Sequence, residues 1–145
     1  MTSTTRQLMV AMMMTGLIGT GRSVVAASVD APATGRVRSS NAVIGRVLKK
    51  EASDRSQAFR RLVEIINASD GTVYVEEGKC GQGVRACLVT VTMAGANRNL
   101  WVKVDTGAAD VDLMGSIGHG LQHAVEALSD RTVTNGATMY FAHSV

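Results

Sequence analysis

Three runs of strand-forming residues follow one another within residues 72–105, and they limit the fold more than any other feature. TVYVEE (72–77) is rich in β-branched and aromatic residues. ACLVTVTM (86–93) sets Leu88, Thr90 and Thr92 against Val89, Val91 and Met93, and NLWVKVD (99–105) sets Leu100, Val102 and Val104 against Trp101 and Lys103. A period of two marks a half-buried strand. Ala94-Gly95-Ala96-Asn97 reads as a turn, so the runs predict a three-stranded antiparallel meander.

Helical spacing brackets the strands. In SQAFRRLVEIINA (56–68), Phe59, Leu62, Val63 and Ile66 form one apolar stripe, with Asp54 or Ser53 as the expected cap. A second helix is expected over about residues 110–128. The order helix, three-stranded antiparallel meander, helix predicts an α+β domain with its helices on one sheet face.

Cys80 and Cys87 are the only cysteines. Extended runs flank them and a turn-like Gly81-Gln82-Gly83 lies between, which suits a disulfide across the mouth of a loop. The competing reading pairs them with the histidines as metal ligands. Six intervening residues exceed the two to four of a zinc knuckle, which favours the disulfide.

The N-terminal residues have the pattern of a secretory signal peptide. Arg6 precedes an apolar run over residues 8–18, and Val25-Ala26-Ala27 offers small residues for cleavage after Ala27. The run falls short of the roughly 20 residues of a bilayer span, so no stable membrane span is expected after cleavage. Residues 1–27 are thus read as signal and 28–40, which hold the only proline, as a flexible leader. Residues 41–145 are read as a single α+β domain. Export, to the periplasm or the medium, is the expected location.

Residues 1–27 contain Arg6 and Arg22 and no acid, so the chain's formal charge of +3 falls to +1 without them. With so little charge and few aromatic residues, nucleic-acid binding is not expected. Arg36, Arg38, Arg46, Lys49 and Lys50 read as a solvated basic face. No Ser-His-Asp word, phosphate loop or nucleotide fingerprint occurs.

The remaining chemistry lies in GHGLQHAVEAL (118–128). His119 and His123 are four residues apart, and at 100° per residue His123 sits 40° from His119 and Glu126 about 20° away on the other side. This i, i+4 spacing lets two imidazoles share one ion, as zinc peptidases use it. Glu126 lies about 10 Å along the axis from His119, which suits it to orienting His123 rather than to joining both histidines on the metal. His143 is a further candidate third ligand. Glycines at 115, 118 and 120 weaken the helix, each by about 1 kcal/mol relative to alanine.

GHGLQHAVE resembles the H-E-L-Q-H-A-L-E stretch of a group of small, uncharacterised secreted bacterial proteins with a minimal zincin-like signature. RSQAFRRLVEIINASDGTVYVEEGKC and NLWVKV fit the same group, and the resemblance spans about residues 43–128. It implies a zinc-binding helix with His119 and His123 as ligands and Glu126 at the group's second acidic position. The chain departs from the group at Gly120, where the group carries a catalytic-type glutamate. General acid–base help of that kind is worth on the order of 10²–10⁴ in rate, and glycine provides none. The expectation is therefore an exported zincin-like protein of unknown substrate that holds zinc weakly or not at all and lacks peptidase activity, with no catalytic residue assigned. The alternatives are an exported structural or interaction domain holding no metal, and an active metallohydrolase that uses Glu126 or another carboxylate as its base.

Overall fold

The computed structural model describes residues 35–53, 55–81, 83–107 and 109–142. The elements run β1 (Val37–Arg38), α1 (Ala42–Ser53), α2 (Gln57–Asn67), β2 (Gly71–Glu77), β3 (Ala86–Ala94), β4 (Asn97–Val104), α3 (Asp110–Ser129) and α4 (Gly136–Ala142). The domain is α+β, with a four-stranded mixed sheet.

The expected three-stranded antiparallel meander is not what forms. The strand order is β1-β2-β4-β3, with β1 parallel to β2, β2 parallel to β4, and only β3 and β4 antiparallel. After β2 the chain passes over one strand position to reach the outer edge, and β4 then returns between β2 and β3. Burial explains the choice. β4 puts Leu100, Val102 and Val104 wholly into the core, so it gains most from neighbours on both sides, whereas the second half of β3 is largely exposed and tolerates an edge. A two-residue loop joins β3 to β4, with φ positive at Gly95 (65°) and at no other loop residue, as a type II′ turn requires.

The strict alternation expected of β3 breaks at Val89. Leu88 pairs with Val102 and Thr90 with Trp101, which leaves Val89 as a β-bulge. Ala86 and Leu88 face the core before the bulge and Val91 after it, so the apolar phase shifts by one residue.

Residues 28–40 were expected to form a flexible leader, and the packed region begins within them. Val37 is fully buried and pairs with Val73, and Arg36 N–H donates to Asn67 Oδ1 at 2.8 Å. Helix α1 adds to the expected elements, in a segment rich in basic residues. Its stripe is Ile44, Val47 and Leu48, and Asn41 Oδ1 caps it by accepting from the N–H groups of Val43 and Ile44. For α2 the expected stripe holds: Phe59, Val63 and Ile66 are buried and Leu62 packs beside them. Its cap is Ser56, whose Oγ accepts from Phe59 N–H at 3.2 Å, and not Ser53, which ends α1, or Asp54, which lies outside the described residues.

The core lies between the helices and one sheet face, in rows such as Val37–Val73–Leu100–Val91. On the opposite face Tyr74 stacks on Trp101 at 5.3 Å between ring centres.

Candidate functional site

Helix α3 sets the geometry. Leu113, Ile117, Leu121, Ala124 and Leu128 are buried in the core between α3, the sheet and the other helices, and leave the His119–His123 side turned outward. Gly120 is buried on the sheet side, where a Cβ would collide with Cγ1 of Val102 and lie 3.6 Å from Cβ of Ala86. The glycine thus lets helix and strand approach closely. The position where an H-E-x-x-H word carries its glutamate is occupied here by a helix–sheet contact.

The two histidines meet. Nε2 of His123 is 3.1 Å from Nε2 of His119, with the rings edge to face at 77°. Nδ1 of His123 is 3.0 Å from Oε2 of Glu126, whose Oε1 accepts from Gln122 Nε2 at 3.1 Å. In the neutral pair Nδ1–H of His123 donates to the Glu126 carboxylate, and Nε2 of His123 accepts from Nε2–H of His119. A carboxylate on the far nitrogen is also the arrangement that orients a metal-binding imidazole. Two nitrogens each about 2.0–2.1 Å from one tetrahedral zinc sit about 3.3 Å apart, close to the spacing found.

The pair opens on a cleft of about 280 Å³, lined mainly by Val84, Ala86, Leu88, Met139 and Tyr140 beside the histidines. Cys87 also borders it and is joined to Cys80 in a disulfide, as the spacing of the two cysteines led one to expect. His143 lies outside the described residues, as does the expected signal segment 1–27. Among the described residues no group of three or more His, Cys, Asp or Glu side chains converges as a metal would require.

Sequence reasoning missed Arg98, which lies against the C-terminal end of α3 and the turn that follows it. It is 2 % exposed. Its Nε and Nη2 grip Asp70 at 3.0 and 2.8 Å, Nη2 also reaches the carbonyl of Leu128, and Nη1 reaches those of Ala127, Asp130 and Val133. A cation thus satisfies carbonyls at the negative end of α3 and pins the turn leading to α4. The contact holds the Asp70 carboxyl below its ordinary range. In sequence Arg98 sits beside a hairpin turn, where an arginine reads as solvated. At α4, Asn135 Oδ1 accepts from Thr138 N–H at 3.0 Å, and α4 packs on β3, bringing Met139 and Tyr140 to the cleft.

The chain matches no family model, no curated protein and no solved structure. The site must therefore be read from its own geometry. No helix among the described residues is long and apolar enough to cross a membrane.

Proposed function

We propose that this is an exported metal-binding domain of zincin-like local design, using His119 and His123 as its fixed ligands and lacking peptidase activity. The observation that carries the reading is the 3.1 Å approach of the two Nε2 atoms, with Glu126 orienting His123 from behind. An ion such as zinc would replace the proton between the nitrogens, with His119 then carrying its own proton on Nδ1. Absence of peptidase activity follows from residue 120, which offers no carboxylate and faces Val102. Export rests on the N-terminal pattern, and the disulfide suits an oxidising compartment. Sequencing of the exported protein should find Ser28 at its N-terminus.

Calorimetric titration with zinc tests the site. Wild type should bind one ion per chain, and His119→Ala and His123→Ala should each abolish binding. His143→Ala shows whether the chain's end adds a ligand. The second reading, a structural or interaction domain without metal, is favoured by the imidazole–imidazole hydrogen bond, which closes the pair with no ion at all. Absence of heat in wild type and variants alike would establish that reading instead.

A further inference from the structure

Resting on the metal-binding reading, we infer that the cleft selects copper(I), with the Met139 thioether completing the two imidazoles. The argument is one of donors. Zinc is held by imidazole, thiolate and carboxylate, ordinarily four ligands in a structural site or three with an open position. The thiolate is lacking, because Cys87 is bonded to Cys80. Among the described residues the carboxylate beside the pair, Glu126, is turned to the Nδ1 side of His123, away from the paired Nε2 atoms. Among the described residues the further donors lining the cleft are the thioether residue Met139 and the phenol residue Tyr140. Thioether sulfur is a soft donor that suits copper(I), and it stands outside the thiolate, imidazole and carboxylate set that ordinarily holds zinc.

Position supports the same assignment. Met139 is 8 % exposed, so the residue is largely sheltered from water, whereas Tyr140 is 73 % exposed. Met139 is also held in place: Asn135 and Thr138 fix the start of α4, and Arg98 fixes the turn before it. Val84, Ala86 and Leu88 give the cleft apolar walls beside the paired nitrogens, a setting that suits a singly charged, weakly hydrated ion better than a doubly charged one.

The test is competition with a chromophoric copper(I) chelator on the disulfide-intact protein, under ascorbate and without thiols, alongside zinc competition and X-ray absorption at the copper edge. Wild type should take one copper(I) with two nitrogen scatterers and one sulfur. Met139→Leu keeps the bulk of the side chain, and its fold can be confirmed by circular dichroism. It should lose the sulfur signal and at least about tenfold in copper(I) affinity, the scale on which metal sites answer to loss of a partner, while zinc affinity stays unchanged. Copper(I) bound through nitrogen alone, with Met139→Leu equal to wild type, overturns this inference and leaves the two-histidine site standing. Retention of neither metal overturns both.

Discussion

Gly120 on α3 stands against Val102 on β4 so closely that any side chain at position 120 would run into Cγ1 of Val102. By contrast, a Cβ at Gly115, about a turn and a half earlier on the same helix, would meet nothing within 4 Å. The two glycines should therefore respond oppositely. Gly120→Ala is expected to destabilise the domain by about 1–3 kcal/mol through overpacking, and Val102→Ala in the same chain should recover part of the loss. Gly115→Ala should stabilise by up to about 1 kcal/mol. Urea unfolding of the four proteins measures both. Gly120→Glu, which completes the H-E-x-x-H word on paper, should unfold the helix–sheet contact rather than create a base.

Arg98 should be the most sensitive polar position. Its removal leaves the Asp70 carboxylate and the carbonyls at the end of α3 without their donor. Arg98→Ala is expected to cost about 3 kcal/mol or more, and Arg98→Lys most of that, because an ammonium cannot span the same acceptors. A loss below about 1 kcal/mol in chemical denaturation would reduce the contact to an ordinary surface pair.

Acid stability should depend on Asp70. The hydrogen bond from Arg98 is the main cause lowering its pKa from the ordinary 3.8, against a smaller opposing effect of burial. A carboxyl whose folded pKa is lowered contributes stability that is fully present above its ordinary value and is lost as pH falls through the lowered one. Urea midpoints between about pH 2 and pH 6 should fall along the acid limb in wild type and fall less steeply in Asp70→Asn. Parallel curves would assign the acid limb to other carboxyls, of which Asp130, held by Thr132, is the first to try.

The Cys80–Cys87 bridge closes a short loop, with a sequence separation of seven. Its reduction should destabilise by about 2 kcal/mol and lower the melting temperature without changing the fold. Protein taken from the periplasm or medium should show no titratable thiol before reduction. Two free thiols there would mean that the bridge does not form in the cell.

Much of this was legible in residue order. The stripe of α2, the alternation of β4 and the span of α3 each repeat a single period without interruption, and the cysteine spacing carried the disulfide. Sheet order was not legible, because the parallel pairing of β2 with β4 joins segments with another strand between them in sequence. A meander is simply the shortest connection available. The bulge at Val89 was hidden because its residues alternate well in either phase. At the candidate site, helical spacing put His119, His123 and Glu126 on one face. It could not reveal Met139 at their cleft, since α4 is short and the turn before it is held by Arg98, whose acceptors lie about thirty residues away on either side of it.

The bulge at Val89 has a consequence for how the molecule behaves in company. A sheet grows by recruiting a further strand along a continuous, in-register row of backbone donors and acceptors. One border of this sheet, β1, offers only two residues, and the other, β3, loses its register partway along at Val89. Neither border is a good template, so concentrated solutions of the folded chain should resist growth into fibrils, even with Val89 and Met93 exposed along β3.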